Sequence, residues 1–105
     1  MEPPALEDAL LDVAERAGVE VRREPFDPGV FRDANKRGGL CWLRGTAVVL
    51  LDQGLNTVER VAVLAEALAG LELDGLWMQP AVRERIELAA RKRGRPRRRH
   101  LRRVV

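Results

Sequence analysis

Histidine and cysteine, on which most metal and nucleophile chemistry depends, occur once each in the 105 residues, as His100 and Cys41. A single cysteine excludes an internal disulfide and any cysteine-rich zinc site, and it fits a reducing compartment. A single histidine rules out a centre built on two or three imidazoles. Tyrosine is absent, so Phe26, Phe31, Trp42 and Trp77 are the only aromatic residues available to a core. Long apolar runs are missing as well: Gly45 to Leu51, the longest, falls far short of the roughly 20 residues a membrane-spanning helix needs. The opening residues MEPPALEDALLDV are acidic rather than basic and then apolar, so the chain reads as a soluble cytoplasmic protein without a signal peptide. No glycine-rich loop leads from a strand into a helix with phosphate-binding spacing, because Gly38 and Gly39 precede a strand instead.

What is present is enough apolar residue, 46% of the chain, for the core of one small domain. The net charge of +3 conceals a sharp division. Residues 1–90 hold 10 Lys and Arg against 16 Asp and Glu, a net charge of −6. Residues 91–105 hold nine Lys and Arg and no acid, a net charge of +9. The expected organisation is therefore a compact acidic domain over 1–90 and a disordered basic tail over 91–105. A fold that binds polyanions carries its positive charge on the folded face, so contact with DNA or RNA is expected from the tail.

Along the domain, Pro3 and Pro4 precede Leu6, Leu10, Val13 and Ala17, one apolar face of a helix that Gly18 ends. Val19 to Glu24 alternates as a short strand. Pro25 to Gly39 has the composition of turns, with one helical turn expected around Val30 to Ala34 and Phe26 and Phe31 pinning the segment to the core. Leu40 to Leu43 and Thr46 to Asp52 form a hairpin about Arg44-Gly45, the second run apolar enough for a central strand. Asn56 or Thr57 caps a helix from Val58 to about Ala69, with Leu55 as a hydrophobic staple and Val58, Val61, Ala62, Ala65 and Leu68 as its apolar face, widened by Val63 and Leu64. Pro80 opens a last helix through Val82, Ile86 and Ala89 or Ala90, in which Glu87 and Arg91 are spaced for an ion pair. The order is α-β-β-β-α-α: an α+β domain, its helices packed on a small, mostly antiparallel three-stranded sheet. Trp77 and Trp42 are expected in the core or at its edge, with a dimer patch as the alternative for Trp77, and Cys41 as a buried structural thiol. The girth of the second helix favours self-association.

The hairpin followed by LAEALAGL, Leu64 to Leu71, resembles the core of the small zinc peptidases of the ImmA/IrrE type, whose equivalent helix carries HExxH. Over roughly Gly38 to Ala90 the resemblance implies a zincin-like scaffold. Glu66 and Gly70 then stand where the zinc-binding histidines would be, and Ala67 where the catalytic glutamate would be. All three roles are vacant, so neither a cofactor nor a peptidase activity is expected. Carboxylate pairs such as Glu72 and Asp74, or Glu84 and Glu87, read as surface charge.

The tail carries the sharpest motif. Arg93-Gly94-Arg95-Pro96, with Arg91 and Lys92 before it and Arg97, Arg98 and Arg99 after it, resembles an AT-hook, the RGRP element of high-mobility-group A proteins and several bacterial regulators. The resemblance implies an extended core in the minor groove of AT-rich DNA, its two arginines along the groove floor. The chemistry agrees: a narrow A·T groove concentrates negative potential, and the guanine amine obstructs deep entry. Gly94 has no side chain to strike the groove walls, and Pro96 fixes an extended φ. Arg91, Lys92, Arg97 to Arg99, Arg102 and Arg103 are placed to reach phosphates. The expected function is a non-enzymatic, nucleoid-associated accessory or regulatory protein, its tail on DNA and its body forming a homodimer or binding a protein partner. Two alternatives stay open: an antitoxin-like or inhibitor-like interaction module with a nonspecific tail, and an RNA- or ribosome-associated protein.

Overall fold

A computed structural model describes residues 1–26 and 38–93 of the chain. Three helices and three strands follow the expected order: α1 Pro3–Arg16, β1 Glu20–Glu24, β2 Gly38–Leu43, β3 Thr46–Asp52, α2 Thr57–Ala69 and α3 Pro80–Arg93. The class is α+β. The proposed turn at Val30 to Ala34, and Phe31, lie outside the described residues.

The two prolines occupy the first turn of α1, where a missing N–H removes no helical hydrogen bond. Leu10, Val13 and Ala14 turn inward, while Leu6 and Ala17 are half-buried beside them. The helix closes in a Schellman motif: Val19 N–H donates to Ala14 C=O at 2.9 Å and Gly18 N–H to Glu15 C=O at 3.1 Å. That closure places Gly18 at φ +79°, a conformation glycine adopts without strain.

The sheet order is β1-β3-β2, and the sheet is mixed rather than mostly antiparallel. β2 and β3 form the expected hairpin, turning through Arg44 (φ 52°) and Gly45 (φ 82°), the double positive-φ turn whose twist matches that of the flanking strands. β1 pairs parallel with β3, from Glu20 opposite Val48 to Glu24 opposite Asp52. The reason is burial: β3 is the most apolar strand, and inserting it between the other two covers both its edges. Ala47, Val49 and Leu51 join the main core under the helices, whereas Val48, also buried, points to the opposite face between Glu20 and Cys41.

α2 starts with a full capping box: Glu59 N–H donates to Asn56 Oδ1 at 2.8 Å, and Asn56 N–H to Glu59 Oε1 at 2.9 Å. Leu55 is buried, yet it is no hydrophobic staple, because the facing residue is Arg60, whose Nη1 donates to Leu55 C=O at 2.6 Å. The buried arc of α2 is Val61, Leu64, Ala65, Ala67 and Leu68. Val58 is 63% exposed and Ala62 is exposed, so the apolar face is rotated from the expected one. The rotation follows from α2 being covered by α1 and the sheet on one side and α3 on the other. α3 uses Val82, Ile86 and Ala89 as its inner face, against α2. It continues to Arg93, so Arg91 to Arg93 belong to a helix rather than to the tail. Arg and Lys are good helix formers, and cations suit a helix C-terminus.

One polar contact crosses this core. Glu7, only 7% exposed, lies on the inner side of α1, and the Arg60 guanidinium of α2 grips it with Nε at 2.6 Å from Oε2 and Nη2 at 3.1 Å from Oε1. Arg23 of β1 adds a longer contact at 3.4 Å. The Arg60 hydrogen bond, opposed by burial and aided by the charges of Arg60 and Arg23, holds the Glu7 carboxyl below its ordinary value of 4.5. The contact therefore stabilises the fold fully above about pH 4.5 and fades as pH falls through the lowered value. Glu7→Gln is expected to cost about 1–3 kcal/mol at pH 7. The difference from the parent protein should shrink as pH falls through the lowered Glu7 value, where the carboxyl becomes neutral like the glutamine; urea denaturation over a descending pH series checks this.

Candidate nucleic-acid interface

Of the residues expected to contact DNA, Arg91 and Lys92 are exposed on the last turn of α3, and the backbone of Arg93 is helical. Gly94, Arg95, Pro96, Arg97, Arg98, Arg99, Arg102 and Arg103 lie outside the described residues. Up to that point the helix directs its basic end away from the core, which is held by Val82, Ile86 and Ala89. No ion pair joins Glu87 to Arg91 among the described residues, so both charges remain on the solvent side. At this end the helix dipole favours cations, and about 0.3–1 kcal/mol per charge is typical.

The rest of the surface has the opposite character. The outer side of α1 displays Glu2, Asp8, Asp12 and Glu15, of which Asp12 is paired with Arg16 at 2.9 Å. Glu72, Asp74, Glu84 and Glu87 add further exposed carboxylates after α2 and along α3. Such a surface repels a phosphate backbone, which leaves the basic end of α3 and the residues after it as the favourable approach.

The positions compared with HExxH do not converge on a ligand. Glu66 is exposed, Gly70 is the C-cap of α2, and Ala67 is buried at 3% exposure in the core, where no water could be activated. Among the described residues no group of three or more His, Cys, Asp or Glu is arranged to hold a metal ion. Cys41 is half-buried on the sheet face away from the helices rather than sealed in the core. No described helix is long and apolar enough to cross a membrane.

The tryptophans depart from the sequence-based expectation. Trp77 is 70% exposed: Met78 takes the inward position, and Arg16 Nη1 holds Trp77 C=O at 2.9 Å with the indole outside. Trp42 is 60% exposed near the hairpin tip, beside Leu43. Alternation along β2 puts Trp42 on the same face as Leu40, and a chain with so few aromatics reads more naturally with both tryptophans inside.

No family model matches the chain, and no curated protein or solved structure is significantly similar to it. Arg91→Glu is expected to destabilise the fold by about 0.3–1 kcal/mol at low salt, and by less at about 1 M salt, because it reverses a charge at the helix end. Thermal unfolding at the two ionic strengths measures the effect.

Proposed function

We propose that this chain is a non-enzymatic DNA-binding accessory or regulatory protein. Its basic C-terminal segment enters the minor groove of AT-rich DNA, and its acidic domain serves self-association or a protein partner. The observation that carries the reading is the charge division: nine basic residues and no acid after Ala90, against a net charge of −6 before it, with RGRP inside the basic run. The exposure of Arg91 and Lys92 on α3 supports it, since the first charges of the run face solvent. Arg93 and Arg95 are assigned to the groove floor, Gly94 and Pro96 to the shape of the core. Arg91, Lys92, Arg97, Arg98, Arg99, Arg102 and Arg103 are assigned to phosphates. A nucleoid-associated place in the cytoplasm follows from that partner.

A second reading is favoured by the exposed Trp42 and Trp77: a protein-interaction module, antitoxin-like or inhibitor-like, whose tail clings to any polyanion, RNA and ribosomes included. Gly94 and Pro96 also belong to the residue types that close helices, so the motif alone does not separate groove reading from generic attraction. Binding of full-length protein to AT-rich, GC-rich and RNA duplexes at several salt concentrations does. With five or six phosphate contacts, log K should fall with log salt at a slope of about −5. Arg95→Ala should abolish AT preference, whereas Arg102→Ala should weaken all duplexes about equally. Equal affinity for AT-rich and GC-rich DNA would remove the groove reading, and a cellular role that survives deletion of residues 91–105 would favour the interaction module.

A further inference from the structure

The two edges of the sheet are unlike. β1, on one edge, reads EVRRE, and four of its five residues are charged. β2, on the other, reads GGLCWL and has no charge at all. Charged side chains are a common guard against edge-to-edge pairing, and β2 lacks them.

The register tells which backbone groups β2 leaves open. Gln53 N–H donates to Glu24 C=O, so the odd-numbered residues of β3 direct their backbone groups to β1 and the even-numbered ones to β2. Val48 lies opposite Cys41, Leu50 opposite Gly39 and Thr46 opposite Leu43, which turns the odd-numbered residues of β2 inward. Gly38, Leu40 and Trp42 therefore aim their N–H and C=O groups outward, and among the described residues no strand pairs with them. The side chains at these positions lie on the helix-facing side of the sheet: Leu40 packs against the core, and a Cβ on Gly38 would come within 2.8 Å of Val63 Cγ1.

We infer that β2 pairs with β2 of a second copy, antiparallel about a twofold axis at Leu40, joining two three-stranded sheets into one. This deepens the self-associating role proposed for the domain, and rests on it. About that axis Leu40 faces Leu40 of the second copy, and Trp42 faces Gly38 of the second copy, once on each side. The strand is thus self-complementary: its largest exposed side chain falls across from its barest position. Gly38 cannot carry a side chain, since an added Cβ would also lie 2.6 Å from Leu50 O. The indole of Trp42 then lies across the strand from Gly38, against the half-buried Val63 that fills the space over it. Charge is compatible with the same contact: the uncharged strand sets no like charges of the two domains directly against each other.

The test is sedimentation velocity on the full-length protein, with circular dichroism confirming that each variant is folded. The parent protein should be dimeric at about 100 μM. Trp42→Lys, which puts a charge at the pair with Gly38, should raise the dimer dissociation constant at least about tenfold. Trp42→Pro, which removes an outward N–H without breaking a hydrogen bond to β3, should do the same. Trp77→Lys, at the other exposed tryptophan, should leave the constant unchanged. A monomeric parent protein at that concentration overturns the inference, as does a dimer broken by Trp77→Lys and indifferent to both Trp42 variants. DNA binding is read separately. A dimer without AT preference would keep this inference and remove the groove reading; a monomer with AT preference would do the reverse.

Discussion

β3 is almost wholly apolar, and a strand of that kind is stable only with both edges paired and both faces covered. Its place between β1 and β2 pairs both edges, and the helices cover the face of Ala47, Val49 and Leu51. The strands run from β1 on one edge to β2 on the other and back along the centre as β3, and β1 pairs parallel with β3. The same arrangement leaves β2 on an edge. One packing requirement thus sets both the core and the uncharged edge strand among the described residues.

The Glu7–Arg60 fork ties the two helices that cover β3. A buried carboxylate is costly unless its charge is met, and here two guanidinium nitrogens meet both oxygens. The same arginine binds Leu55 C=O and Thr57 Oγ1, so it also fixes the entry to α2 beside the Asn56 capping box. Such a pair contributes more to the relative placement of α1 and α2 than to net stability, since an apolar pair of similar volume would fill the space at comparable free energy. The core proper depends on Leu10, Leu51, Leu64 and Leu68.

Charge and exposure divide the described surface into regions of different character. The carboxylates of α1 disfavour nucleic acid, the end of α3 favours it, and β2 is neutral. α3 continues through Arg91 to Arg93, so the first three residues of the basic run belong to the helix. The chemistry of the run is written in the residue order from Arg91 onward.

Periodicity and capping chemistry made most of the fold legible in the sequence: the alternation of β1, the Arg44-Gly45 turn, the asparagine-led α2, the glycine after α1 and the proline opening α3 are local signals, each readable within a few residues. The charge division is equally local, and with it the candidate contact residues of the tail. Legibility ended where a choice depended on distant partners. Val58 and Ala62 fit an apolar helical face, yet Ala67 and Leu64 were buried in preference, because α3 covers that side of α2. Trp77 and Trp42 looked like core residues and are outside, since smaller residues already fill the interior that the layers enclose. The sequence by itself determined which segments are helix or strand and where charge of each sign resides, because propensity, turn geometry and charge act over a few residues. Only the tertiary structure decided the parallel pairing of β1, the burial of Glu7 against Arg60 and the place of β2 at the edge of the described sheet, because each depends on residues far apart in the chain meeting in one packed layer.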